Sequence, residues 1–278
     1  MLKTKLKTKS SPTDYEKVRG MIKNVEDFEP EVKVVLYGKP GTGKTTIAST
    51  FPKPCLLIDI SEKGSDSVRD VKGLKVIRVS EWNELDMLYW YLKDNPDNLK
   101  SVIIDTMSYA QELRIKQHLI DKKKQVKAGD IGKWGVMAKK DWGIVSSDLK
   151  TMIYNYKELE LNMCFIAHDR VSKEEEEDED SDNYVLPTIG PRLMPSVASV
   201  LNAAVGVIGN TFIRERTKIV KNGKEKIEKQ ITEYCLRLGP HSVYVTKVRK
   251  PKGVKYDSVL VDPEYSDILD LIMSTADD

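Results

Sequence analysis

The feature that most constrains this chain is the run Gly38, Lys39, Pro40, Gly41, Thr42, Gly43, Lys44, Thr45, which fits G-x-x-x-x-G-K-[ST] in full. A β-branched apolar run at residues 32–37 precedes it, and residues 45–50 start a helix that Phe51, Pro52 and Pro54 stop. Strand, glycine loop and helix in that order form the setting in which this pattern holds phosphate. The glycines let the backbone curl so that successive N–H groups point inward. That nest, with the positive end of the following helix, attracts phosphate oxygens. Lys44 is placed to reach the β- and γ-phosphates, Thr45 to set its hydroxyl on Mg²⁺, and Thr46 closes the binding stretch. The expected ligand is ATP with Mg²⁺.

Beyond the loop, apolar runs at residues 55–60, 74–79, 101–105 and 161–167 read as strands. Residues 81–93 carry Trp82, Leu85, Leu88, Tyr89 and Leu92 at helical spacing. Residues 109–156 read as mostly helical, with a lysine-rich break near 122–133, and a short helix is expected at 193–201. Strands at 203–214 and 229–238 flank the Asn222-Gly223 turn signal. A further strand at 243–248 and a helix at 263–273 follow. Alternating strands and helices predict an α/β fold, a mostly parallel sheet flanked by helices, here with a C-terminal β-hairpin extension. Three segments result: a basic arm and N-terminal segment at 1–30, a core at 31–262, and a C-terminal helix and tail at 263–278. Within the core, 110–140 reads as a lysine-rich insertion and 172–190 as an acidic mobile loop.

Charged residues make up 32% of the chain, above the usual ~25%, yet the formal net charge is only +2. Bulk charge therefore points to no partner. Cys55, Cys164 and Cys235 lie far apart in apolar runs without a metal-ligand spacing, which suits buried thiols in a reducing cytoplasm. No apolar run reaches the ~18–20 residues of a membrane helix, so a cytoplasmic location without membrane contact is expected. Residues 1–11 alternate lysine with threonine and leucine and lack the apolar centre of a secretion signal.

Asp105 ends the apolar run Ser101-Val-Ile-Ile-Asp. An acid at the end of such a strand suits holding Mg²⁺, often through water. Thr106 follows it, not a glutamate, so the carboxylate that activates water must come from elsewhere. Glu62, just past the second expected strand, is the candidate, and Asp59 is its competitor. His168 ends the fifth expected strand, at the sheet edge where ligands bind, a place from which it would sense the γ-phosphate.

Taken in order, GKPGTGKT (38–45), LLIDISEKG (56–64), SVIIDT (101–106), CFIAHD (164–169) and VTKVRKPKG (245–253) resemble the RecA-like core ATPases carried by bacteriophages. More narrowly, they are similar to the phage AAA-domain nucleotide-binding group that includes the Sak-four-like single-strand annealing proteins. The resemblance covers about residues 30–260. It implies a RecA-like P-loop NTPase core that hydrolyses ATP, with Glu62 as catalytic base and His168 as the polar residue ending the fifth strand. It also implies that Lys247 and Arg249 reach into the neighbouring subunit's ATP, hence a homo-oligomer, ring or filament, with ATP at subunit interfaces. The implied work is DNA recombination: binding single-stranded DNA and promoting annealing or pairing, with a single-strand-binding protein as a candidate partner and the host cytoplasm as the location. An ATPase motor or loader, such as a helicase-like ring acting on DNA or a protein partner, would share every ATP residue. A small-molecule kinase is disfavoured because no arginine-rich lid is visible. A regulatory GTPase is disfavoured because no Asn-Lys-x-Asp motif is present.

Lysines also cluster apart from that pattern: Lys122, Lys123, Lys124, Lys127, Lys133, Lys139 and Lys140, with Trp134 and Trp142 interleaved. Lysines pair with phosphates, and exposed aromatic rings stack on unpaired bases. A solvated helix face over core tryptophans is the plainer alternative. Trp134 is the candidate stacking residue, whereas Trp142 reads as core. The acidic run at 174–182 would repel phosphates; it either covers the basic groove until DNA displaces it or serves solubility.

Overall fold

The computed structural model describes residues 12–24, 31–60, 63–95, 97–125, 136–172, 187–222 and 225–274. The chain divides into two compact units, Met1–Glu31 and Val32–Asp278. The first carries one described helix, α1 (Pro12–Met21), with Tyr15, Val18, Met21 and Ile22 of this unit exposed.

The second unit runs β1 (Lys33–Gly38), α2 (Lys44–Ala48), β2 (Cys55–Ile60), a 3₁₀ turn (Gly64–Val68), β3 (Leu74–Val79), α3 (Trp82–Asp94), β4 (Ser101–Asp105), α4 (Met107–Gln125) and α5 (Lys139–Lys157). It continues with β5 (Asn162–Ala167), β6 (Asp169–Ser172), β7 (Thr188–Pro191), α6 (Pro195–Ala204), β8 (Val207–Asn222), β9 (Glu225–Arg237), β10 (Lys247–Val248), β11 (Val259–Val261) and α7 (Tyr265–Met273). A nine-stranded sheet has the order β11-β9-β8-β1-β5-β4-β2-β3, with β10 also pairing β8. The block from β8 to β3 is parallel. β9, β10 and β11 extend it antiparallel. This is the α/β fold that the alternation predicts.

The central strands are near-continuous apolar runs because both faces of a parallel sheet are covered. Side chains alternate across the sheet. Val35 and Tyr37 of β1 join a core with Leu85, Leu88 and Leu92 of α3, Ala110 of α4, Val145 and Leu149 of α5 and Leu201 of α6. Val34 and Leu36 face the other way, onto Ile47 and Phe51 at α2, Val68 of the 3₁₀ turn and Ile268 of α7. Parallel register then sets the carboxyl ends of the strands along one edge, with Asp59 opposite Asp105, Tyr37 opposite Ala167 and Gly38 opposite Thr211.

Several expected elements shift. The strand expected from 203 begins at Val207, because Val197 and Leu201 face the core at helical spacing and carry α6 through Ala204. The strand expected at 243–248 splits between partners. Its first part exchanges backbone hydrogen bonds with Ile189, and only Lys247–Val248 joins the main sheet. The lysine-rich break starts later than 122, since α4 continues to Gln125. Where 172–190 is expected as a mobile loop, β6 and β7 at its two ends pair as an antiparallel ribbon, and the acidic run at 174–182 between them lies outside the described residues. Among the described residues no helix is long and apolar enough to cross a membrane.

Candidate active site

The glycine loop leaves β1 at Gly38, where a Cβ would lie 2.4 Å from the Thr211 carbonyl oxygen and 2.5 Å from Thr211 Oγ1. Only glycine lets the loop start this close to β8. Gly41 and Gly43 take φ of 78° and 85°, the left-handed region that glycine adopts without strain. Thr42 Oγ1 donates to Lys39 O at 2.8 Å and shares a 2.6 Å hydrogen bond with Thr211 Oγ1, so β8 braces the loop. Lys44 is buried at the start of α2, and its Nζ donates to Gly38 O at 2.9 Å and Lys39 O at 2.7 Å. The ammonium is thus folded back over the loop it serves.

Thr45 Oγ1 donates to Asp105 Oδ2 at 2.7 Å. Asp105 is buried at the end of β4. Gly64, at the head of the 3₁₀ turn, closes on the same pair, and a Cβ there would lie 2.8 Å from Asp105 Oδ2 and 3.6 Å from Thr45 Oγ1. Mg²⁺ is commonly bound through one or two carboxylates together with substrate phosphates. The hydroxyl and carboxylate brought together here, with a glycine leaving room beside them, fit that requirement.

Asp59, one residue before the end of β2, lies directly opposite Asp105 and is buried. Its Oδ2 accepts from Ser65 Oγ at 2.6 Å and from Ser65 N at 3.2 Å. Its Oδ1 is buried without a hydrogen-bond partner among the described residues. Glu62 lies outside the described residues. His168 follows β5 and is buried; its N–H donates to Ser108 Oγ at 3.1 Å, and its ring meets Tyr109 edge-on with centroids 5.9 Å apart.

Loop, acid and histidine converge on one cleft of about 760 Å³, lined by Pro40, Gly41, Gly43, Lys44, Thr45, Thr46, Asp105 and His168. The same cleft is lined by Gly64, Ser67, Tyr109, Tyr234, Asp262, Pro263 and Glu264, none of which the sequence reading selected. Gly64, Ser67 and Tyr109 follow β2 and β4 closely, whereas Tyr234 and the 262–264 turn arrive from β9 and from ahead of α7, where no local pattern marks them.

Lys247 and Arg249 are not in this cleft. Lys247 Nζ donates to Asn202 O at 2.8 Å and Val205 O at 2.7 Å, and Arg249 Nη2 donates to Ala203 O at 3.2 Å. Both cations therefore satisfy carbonyls at the end of α6. Burial lowers the Lys247 pKa, and the Arg249 charge lowers it further. β10 pairs with Val207 and Ile208, which lie beside Val34 and Val35, upstream of the loop.

The lysine-rich block divides in three. Lys127, Lys133 and Trp134 lie outside the described residues. Lys123, Lys124, Lys139 and Lys140 are exposed at the end of α4 and the start of α5. Lys122 is already engaged, donating to Asp141 Oδ2 at 2.7 Å and Val136 O at 2.8 Å. Lys122, the Ala138 N–H and His118 hold the Asp141 carboxyl well below the usual carboxylate range. Trp142, read as core, is 42% exposed. The inward stripe of α5 is Asp141, Val145, Leu149, Met152 and Tyr156, which leaves Trp142 turned off it.

A family model described as an AAA domain matches residues 30–250. No curated protein matches the chain. The family match takes in β1, the glycine loop, Asp105, His168 and β10, and stops before β11 and α7.

Proposed function

Because the chain belongs to the AAA-domain family, we propose that it hydrolyses ATP with Mg²⁺ in this cleft and couples hydrolysis to binding single-stranded DNA. The observation that carries the ATPase reading is the 2.7 Å hydrogen bond between Thr45 and Asp105, in the same cleft as Lys44. The loop N–H groups and Lys44 hold the β- and γ-phosphates, in which case Lys44 exchanges its carbonyl partners for phosphate oxygens. Thr45 and Asp105 would hold Mg²⁺, which would supply charge neutralisation at the phosphate oxygens. A carboxylate, Glu62 first and Asp59 second, takes the proton from water as its oxygen bonds to the γ-phosphorus, and the bond from that phosphorus to the bridging oxygen breaks, ADP leaving with the electron pair. His168 reports on the γ-phosphate to Ser108 and Tyr109, the neighbours it touches.

The DNA reading is supported by the exposed lysines around α4 and α5 and by Trp142, whose exposure permits stacking on an unpaired base. Strand annealing, a phage origin, a host cytoplasmic location and a homo-oligomer with ATP at subunit interfaces rest on the resemblance. In such an assembly Lys247 and Arg249 would leave the end of α6 to serve a neighbour's phosphates.

The test is ATP hydrolysis by the wild type and Lys44→Ala, with and without single-stranded DNA, at two salt concentrations. Lys44→Ala is expected to lose about 10²–10³-fold in kcat. DNA stimulation that weakens as salt rises supports the DNA reading. Activity indifferent to DNA would leave the ATPase and turn attention to the motor or loader alternative.

A further inference from the structure

The cleft does not end with the phosphate loop. Beyond the loop, the same cleft is lined by Thr46 of α2, Thr50, Tyr234 of β9, and Asp262, Pro263 and Glu264 ahead of α7. The family match stops at residue 250, so the turn at 262–264 lies outside it. Two hydrogen bonds from backbone N–H groups seat this turn. Asp262 N donates to Tyr234 O at 2.7 Å, and Tyr265 N donates to Thr50 Oγ1 at 2.7 Å. The Phe51 and Tyr265 rings add an edge-on contact with centroids 4.8 Å apart. The Tyr234 ring rests on the phosphate loop itself, since a Cβ at Gly43 would lie 3.3 Å from Tyr234 Cδ1.

A ligand whose phosphates occupy the loop extends its other half along the same cleft. There it meets an aromatic ring, a proline and a carboxylate. Aromatic rings stack on nucleobases whatever their sequence of edge groups. A carboxylate accepts from amino and hydroxyl groups and repels carbonyl oxygens. Bare polyphosphate offers nothing to either partner.

We propose that Tyr234 and the Asp262-Pro263 turn form the nucleoside-binding wall: Tyr234 stacks on the base, and Asp262 accepts from an amino or hydroxyl group of the nucleoside. The inference rests on the ATPase reading for what fills the phosphate loop. The chain segment beyond the family match is then part of the nucleotide site and sets its preference for a nucleoside triphosphate.

Calorimetric titration of the full chain with ATP and with inorganic tripolyphosphate, both with Mg²⁺, separates the two ideas. Tyr234→Ala is expected to weaken ATP about tenfold and leave tripolyphosphate unchanged. Asp262→Ala is expected to weaken ATP about threefold, again sparing tripolyphosphate. Should Tyr234→Ala fold poorly, Tyr234→Leu, which removes the aromatic face but keeps an apolar side chain, and Asp262→Ala carry the test, both expected to weaken ATP and spare tripolyphosphate. Lys44→Ala weakens both ligands. Unchanged ATP affinity in Tyr234→Ala and Asp262→Ala, or equal loss of the two ligands, overturns the wall while sparing the ATPase reading. A wild type that binds neither ligand overturns both.

Discussion

In the proposed site, Gly64 leaves the space beside Thr45 and Asp105 that a β-carbon would occupy. At Gly64 it would stand 2.8 Å from the Asp105 carboxylate. Gly64→Ala should therefore fold and still bind nucleotide, but lose about 10²-fold in kcat, with a steeper requirement for Mg²⁺. Hydrolysis rates over a range of Mg²⁺ concentrations check this, and a wild-type Mg²⁺ profile would remove Thr45 and Asp105 as the holding pair. The proton acceptor is a second question at this scale. Glu62→Gln should cut kcat by about 10²–10⁴-fold with ATP affinity retained. Should Asp59→Asn show that pattern and Glu62→Gln not, the role passes to Asp59, whose Oδ1 is buried and unpartnered among the described residues.

Between elements, polar contacts do the fastening where apolar packing runs out. Thr211 ties β8 to the glycine loop through Thr42. Asp141 ties the start of α5 to α4 through Lys122 and His118. Its carboxyl is held below the ordinary range in the folded chain, by Lys122 first. A depressed folded-state pKa adds stability in full above the unfolded pKa, and that stability is lost as pH falls through the folded value. Denaturant midpoints should thus drop more steeply below about pH 4 in the wild type than in Asp141→Asn. Parallel curves for the two would show that the α4–α5 tie is not coupled to folding. The lysine-rich block shows why charge along a sequence is not charge on a surface: Lys122 serves Asp141, while Lys139 and Lys140 are exposed.

For the whole molecule, the central issue is whether one chain completes its own site. Lys247 and Arg249 cap α6 and do not line the cleft, so in the proposed assembly the phosphates they would serve are those of another copy. If Lys247 serves a neighbour, Lys44→Ala and Lys247→Ala should each lose hydrolysis alone, and mixing them should restore part of it, because a mixed interface joins an intact loop to an intact Lys247. Failure to recover activity, with Lys247→Ala merely less stable, would leave Lys247 as a helix cap alone. The sequence by itself determined the glycine loop, Asp105, His168 and the parallel α/β sheet, because backbone curl and the periods of strand and helix are written in neighbouring residues. Only the tertiary structure decided that Gly64, Tyr234 and Asp262 face that loop, that Thr211 braces it, that Trp142 is exposed and that Lys247 is engaged. Those contacts join residues far apart in the chain, and they follow from strand order and register, which no local period encodes.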